Sequence, residues 1–351
     1  MEDLNLRNYR GETIMRKNIS FHRRGRTILC FFLFILAAAF SLVIAAGTLS
    51  LSAAEYPDRP ISMIVPYAPG GGSDLGSKVM ADRISRIIGQ PIISVYKPGG
   101  GGALGAAYAA KAKPDGYTIL VGSSSPLVLA PIVKKHDYKL EDFIPIGIYG
   151  EVPVWVAVKA DSPWKTLKDL VEEAKKSPGK VTVSSYGKLT AADFVIEIFS
   201  KQAGIKLTHV PYKSSGEAMT ALLGGHADAA FLSGGGGGPL ESGLVKMLVL
   251  AREQRLPDIP QVPTFKEFGY PVALSPLHSL CAPKGTPKEV VEKLYLAQKK
   301  AIDLYSAEIK EGLRKVEIWA SFSSPEESMQ KFKGEYAVIY KAAEELGVVA
   351  K

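Results

Sequence analysis

Cysteine is nearly absent. The 351-residue chain holds two, Cys30 and Cys281, which excludes a disulfide-dense scaffold and a cysteine-based zinc ribbon. Histidine is scarce too: His22, His136, His209, His226 and His278 are scattered, and none pairs at metal-ligand spacing with another His, a Cys or an acid. There is no G-x-S-x-G elbow, and no motif assembles an acid, a base and a nucleophile. A basic stripe is also missing. The formal charge is +8, but residues 1–54 carry seven Lys/Arg and three acids, leaving 36 basic against 32 acidic residues and a balance of +4. The remaining lysines are mostly interleaved with Glu and Asp, as at 168–176 and 288–300. Such runs are solvated helix faces, so no nucleic-acid partner is expected.

What is present begins with an apolar leader. Arg23, Arg24 and Arg26 precede an uncharged stretch from Thr27 to Ala54, and Ser52-Ala53-Ala54 offers small residues at the −3 and −1 positions of a signal-peptidase site. Residues 1–54 therefore read as an export signal, with Met15 as an alternative start. The stretch exceeds the ~18 apolar residues of a membrane span, so an uncleaved tether is the alternative. After cleavage Cys281 stands alone, with no partner for an internal disulfide.

Strand and helix patterns then alternate. Apolar runs at 60–66, 91–96 and 117–121 are separated by glycine turns and helical spacing, with Ser73 or Asp74 as a cap for the first helix and Gly89 as its end. The pattern restarts after Pro153: strands at 154–158, 181–185, 207–210, 229–233 and 245–251 alternate with helices. Thr166 with Asp169, and Ser214 with Glu217, stand at capping-box spacing. Length and alternation together predict an α/β protein of two lobes, each a mostly parallel sheet flanked by helices.

Three glycine motifs bear on chemistry. Gly100, Gly102 and Gly105 fit the dinucleotide fingerprint G-x-G-x-x-G and would support a nucleotide-dependent oxidoreductase. The following strand, however, ends in Gly122-Ser123-Ser124-Ser125 without an acid for a ribose hydroxyl, and close helix packing explains the glycines equally well. The run 71–78 (GGSDLGSK) misses the P-loop pattern, with Ser77 where Lys should stand and Lys78 where Ser or Thr should, and leaves either a helix N-terminus that binds a small anion or a plain tight turn. The run 234–238 reads as a flexible connection or a loop at a cleft edge.

The residues that carry a resemblance are Tyr56-Pro57-Asp58-Arg59-Pro60-Ile61, Val65-Pro66-Tyr67-Ala68-Pro69-Gly70-Gly71 followed by Asp74, and Lys97-Pro98-Gly99. They continue through Pro114-Asp115-Gly116-Tyr117-Thr118, Val210-Pro211-Tyr212-Lys213 and Ala282-Pro283-Lys284-Gly285-Thr286-Pro287. In this order the chain resembles the substrate-binding proteins of tripartite tricarboxylate transporters, the Bug family. The resemblance implies a periplasmic receptor rather than an enzyme, without cofactor or metal, and expected to be a monomer. It would grip a small organic anion, a mono-, di- or tricarboxylate, between two lobes and pass it to a large and a small membrane subunit. Its expected domains are a first lobe from 55–153 with a return segment at 274–351, and a second lobe from 154–273.

Carried over, the first ligand loop is Tyr67, Ala68, Pro69, Gly70, Gly71, Ser73 and Asp74, with Ser123, Ser124 and Ser125 lining the same lobe. The second-lobe loop supplies Tyr186, Gly187, Lys188 and Thr190, with Ser233 nearby. Two helix N-termini, after Gly72 and near Thr190, are then expected to face one cleft. The loop at 186–190 is shorter than the family pattern, and Asp193 stands where a histidine is common; it suits the N3 position of a Thr190 capping box. A ligand-sensing subunit for a signalling partner remains a third functional reading.

Overall fold

The computed structural model describes residues 56–235 and 237–350; the export-signal reading lies outside the described residues. Ten helices and eleven strands are used below, numbered in chain order among those residues.

The first sheet is built on β1 (Ile61–Val65), in which Ile61, Met63, Ile64 and Val65 are all buried. A strand covered on both faces needs such a run, apolar here except for Ser62, rather than an alternating one. β1 pairs in parallel with β2 (Ile92–Tyr96) and β3 (Thr118–Ser123). β10 (Leu277–Pro283) then lies antiparallel between β3 and β4 (Phe143–Glu151), and β11 (Trp319–Ala320) closes the edge. The second sheet runs in the order β7 (Thr208–Pro211), β6 (Thr182–Ser185), β8 (Ala229–Leu232), β5 (Trp155–Lys159), β9 (Val245–Leu250). Here β6 pairs in parallel with β7 and β8, while β5 is antiparallel to both its neighbours.

Each sheet is thus parallel apart from β11 and the one strand that arrives by crossing from the other lobe. The two crossings are stitched together by backbone bonds: Val152 N donates to Pro276 O (2.9 Å), Val154 N to Leu274 O (3.2 Å) and Ala251 N to Val154 O (2.7 Å). Two short chain crossings between packed bodies are the arrangement in which hinge closure occurs.

Helices cover both sheets. On the first lobe these are α1 (Gly72–Ile88), α2 (Ala103–Ala110), α3 (Ala130–Val133), α8 (Lys288–Leu304), α9 (Ser306–Arg314) and α10 (Pro325–Leu346). α4 (Leu167–Lys176), α5 (Ala191–Ala203), α6 (Ser215–Leu223) and α7 (Gly237–Glu241) belong to the second. Thr166 and Asp169 close the capping box that their spacing calls for, and Gly89 ends α1 in the left-handed conformation. The second lobe's core centres on Phe199, whose ring meets Phe265 and Tyr270 edge-on at 5.0 and 5.2 Å. Among the described residues no helix is long and apolar enough to cross a membrane.

The described glycines of the run, Gly234, Gly235, Gly237 and Gly238, do not form a loose connection. Gly234 (φ +69) packs against Val316 and Gly72, Gly235 N donates to Val316 O (3.0 Å), and α7 begins at Gly237. These glycines let the second lobe's backbone touch that of the first. An alanine at 234 would carry the left-handed penalty of about 1–2 kcal/mol and set a Cβ 2.8 Å from Val316 O. Gly234→Ala is therefore expected to lower stability by at least that amount in urea denaturation. An unchanged midpoint would show that this turn does not pin the lobes.

Candidate functional site

The cleft is assembled from loop-to-helix turns. After β1 the chain turns through Pro69 and Gly70 into α1, whose first N–H groups have no acceptor in a preceding turn. Gly71 occupies the cap position, so Ser73 and Asp74 fall inside the first turn rather than at the cap. Asp74 is fully committed: it accepts from Gly70 N (2.9 Å), Tyr96 Oη (2.9 Å) and Lys78 Nζ (2.9 Å to Oδ1). This leaves neither a general base nor a P-loop lysine. Tyr67 donates from Oη to Gly101 O (3.1 Å) and meets Tyr186 of the other lobe edge-on at 6.0 Å.

On the second lobe the start of α5 is already filled by the chain's own hydroxyls. Ala191 N donates to Ser125 Oγ (3.1 Å), Ala192 N to Tyr186 Oη (3.3 Å), and Asp193 N to Thr190 Oγ1 (3.4 Å). The helix start that reaches the cavity is that of α6, through Ser214 and Ser215. It lies directly across from α1: a Cβ on Gly71 would sit 3.2 Å from Ser214 Cβ, and one on Gly72 2.8 Å from Ser233 O. Ser233 Oγ is anchored on Val152 O at the hinge (3.0 Å).

The cavity between the lobes measures about 20 Å³, room for roughly one water molecule. Of the expected residues, Tyr67, Gly71, Ser73, Ser123, Ser125, Tyr186 and Ser233 line it; Gly72, Ser214, Ser215, Pro276 and His278 join them unanticipated. Ala68, Pro69, Gly70 and Asp74 of the first loop, and Gly187, Lys188 and Thr190 of the second, are not on the lining. No Lys, Arg, Asp or Glu is on it. Burial pushes the Tyr67 phenol well up and that of Tyr186 up to about 12, so both hydroxyls stay neutral donors. His278 is 3% exposed, and burial pushes it down to about 4.

Lys188 points instead to Asp193 (2.8 Å) and Glu197 (3.6 Å). Burial works against its charge, but these two acids more than offset that and hold its pKa above the usual lysine value. Asp193 does not complete a capping box; its carboxylate reaches one residue further back, to Leu189 N (2.9 Å). Asp193 Oδ1 also lies 3.1 Å from His209 Nδ1, and His209 Nε2 lies 2.6 Å from Ser185 Oγ. The fold thus brings serine, histidine and aspartate into one row that no sequence spacing revealed. Ser185 is completely buried, accepts from Gly187 N (3.1 Å) and does not line the cavity. The row fixes the 186–190 loop.

The fingerprint glycines have packing duties. A Cβ on Gly102 would meet Pro126 Cβ at 3.1 Å and Tyr67 Oη at 3.2 Å, and one on Gly105 would meet Pro66 Cα at 2.8 Å. Two roomier hollows, about 330 and 280 Å³, lie behind the hinge and between α5 and α10, around Leu274, Val338 and Ile339. Ser124 lines none of these cavities: its Oγ accepts from Leu277 N (2.8 Å) and donates to Glu335 of α10, which lines the first hollow. Burial, reinforced by Glu151, pushes Glu335 up to about 8 despite that hydrogen bond.

A raised carboxyl pKa means that the folded chain binds more protons than the unfolded one between the ordinary glutamate value and about 8. Stability is then greatest below the ordinary value and falls as pH rises through about 8. Melting temperature should drop between pH 5 and 8.5, and Glu335→Gln should flatten that drop. Parallel curves for the two proteins would contradict this assignment.

With the geometry in hand, comparisons place the chain. Residues 77–337 match the model described as "Tripartite tricarboxylate transporter family receptor". The BugT protein of Bordetella pertussis is 33% identical over 268 residues, 73% of this chain and 81% of that one. Among solved structures, one from R. palustris with adipate superposes with a TM-score of 0.79 at 26% identity, covering 85% of this chain and all of that one. The MatC protein of Rhodopseudomonas palustris with bound malate gives 0.76 at 26% identity, over 82% of this chain and 99% of that one. The chain belongs to the receptor family of the tripartite tricarboxylate transporters and has the two-lobe fold of its periplasmic solute-binding proteins.

Proposed function

We propose that this receptor captures a small carboxylate in the periplasm, by closure of its lobes, and hands it to the large and small membrane subunits of a tripartite transporter without chemical change. The observation that carries the reading is the convergence of two helix N-termini, α1 and α6, on one hydroxyl-lined cavity at the lobe junction. Backbone N–H groups at a helix start are donors with a favourable dipole, and a carboxylate accepts several at once. Tyr67, Gly71, Gly72 and Ser73 would form the first grip, with Ser123, Ser125, Tyr186 and Ser233 around it.

Each helix dipole contributes roughly 0.3–1 kcal/mol, more where water is shut out, while micromolar binding needs about 8 kcal/mol. Charge-assisted hydrogen bonds and shape must supply the rest. The cavity, at about 20 Å³, is smaller than any di- or tricarboxylate, so the lobes must part to admit one and close on it. That motion is the hinge rotation which the two crossings permit. The bound malate and adipate of the two solved relatives are of the same ligand class.

Thermal-shift screening of mono-, di- and tricarboxylates tests the proposal. A specific ligand at a hundred times its Kd should stabilise the fold by about 2.7 kcal/mol, a rise of several degrees. No shift with any carboxylate, or a shift with NAD instead, would overturn it.

A further inference from the structure

Resting on that reading, we propose that His278 is a specificity-determining contact of the cleft, and that the ligand is an organic acid with a single negative charge whose second polar group meets the His278 ring. Two helix N-termini each act as roughly half a positive charge, so together they match one carboxylate. The lining offers no cation for a second: neither Lys nor Arg is on it, and the nearby Lys78 and Lys188 are held by Asp74 and by Asp193 and Glu197.

His278 sits on the lining at 3% exposure, and its Nδ1 is buried without a hydrogen-bond partner. An orphaned buried polar atom costs about 1–3 kcal/mol, a cost that a ligand hydroxyl, amide or carbonyl removes. Of the polar side chains on the lining, the others are Ser and Tyr hydroxyls, so the ring is the one nitrogen heterocycle there, and at about 4 its pKa leaves it neutral at the pH of the cleft.

The groups around the ring leave it uncharged. Tyr149 of β4 meets it edge-on at 6.0 Å, and burial keeps that phenol protonated, as it does Tyr67 and Tyr186 across the cavity. Cys281, on the same strand, is likewise held as the thiol by burial. From β3 the ring's strand partner is Ser123. Glu151, opposite Leu277, is 3.6 Å from Arg252, and Asp74 at the start of α1 is committed to Lys78 and Tyr96. Glu335 lies behind Ser124. A neutral imidazole can satisfy a polar group but cannot balance a second carboxylate, so a dianion must bring a proton with it.

The test pairs each dicarboxylate from malonate to adipate with its monoamide, which keeps the length and removes one charge. Binding is measured by calorimetry at pH 6 and 7.5 in two buffers of different ionisation enthalpy. The monoamides should bind at least tenfold tighter than the diacids at pH 7.5, with no net proton exchange. Diacid binding should take up about one proton and strengthen by roughly tenfold per unit of falling pH. His278→Leu should weaken monoamide binding at least tenfold, and His278→Gln, which restores a neutral polar group, should recover most of it. Glu335→Gln should retain the proton uptake, separating it from the titration behind Ser124.

Diacids that bind as tightly as monoamides at pH 7.5 without proton uptake would overturn the inference while leaving the carboxylate receptor intact. So would a His278→Leu variant with wild-type affinity. If that variant does not fold, the ratio of diacid to monoamide affinity and the proton count still decide. Should no member of the series bind, the carboxylate reading fails and this inference with it.

Discussion

The backbone of the Gly71-Gly72 turn lies against Ser214, Ser233 and Gly234 of the opposite lobe, and the rest of the site depends on that approach. A side chain on Gly72 would stand 2.8 Å from Ser233 O and 2.9 Å from Gly234 Cα, distances at which one backbone must move. Because nothing intervenes, the first turns of α1 and α6 come close enough to share one small ligand group. The glycines on both sides are therefore conditions of closure. At this turn glycine sets how near two helix ends can come.

Binding by backbone donors and hydroxyls has an energetic consequence. A buried lysine or arginine would need a permanent partner, or would carry a large desolvation penalty whenever the cleft stood empty. Neutral donors avoid that cost, and the charged residues nearest the cleft are instead used to hold its walls. Asp74 ties the first loop to α1 and β2, and Asp193 with Lys188 and His209 ties the second loop to α5 and β7.

Much of the fold was legible in the sequence, for physical reasons that can be named. The apolar runs of β1 and β5 announce strands covered on both faces, and Thr166 with Asp169 announces the start of α4. β4 was not legible, since Pro145, Gly147 and Gly150 read as breakers; the strand tolerates them because its ladder with β10 slips register twice. The glycine run at 234–238 left a flexible connection and a cleft-edge loop both open, because composition does not show that Gly234 and Gly235 pack against Gly72. At the site, the first loop was visible in its Pro-Gly-Gly turn, but His278 was hidden in an apolar strand context. The Ser185, His209 and Asp193 row was hidden too, since its members come from β6, β7 and α5 and meet only after folding. The prominence of α6 over α5 at the cavity depends on Ser125 and Tyr186 reaching the α5 start first, a tertiary fact with no local signal.

The account stands on where the ligand's carboxylate sits, and a crystal structure of the protein with the carboxylate of greatest thermal shift tests it most directly. The carboxylate oxygens should lie about 3 Å from N–H groups of the Gly72-Ser73 turn and of the Ser214-Ser215 turn together, with the lobes shut over them. A ligand held by only one of the two turns, or seated behind the hinge beside Arg252 and Glu335, would contradict it.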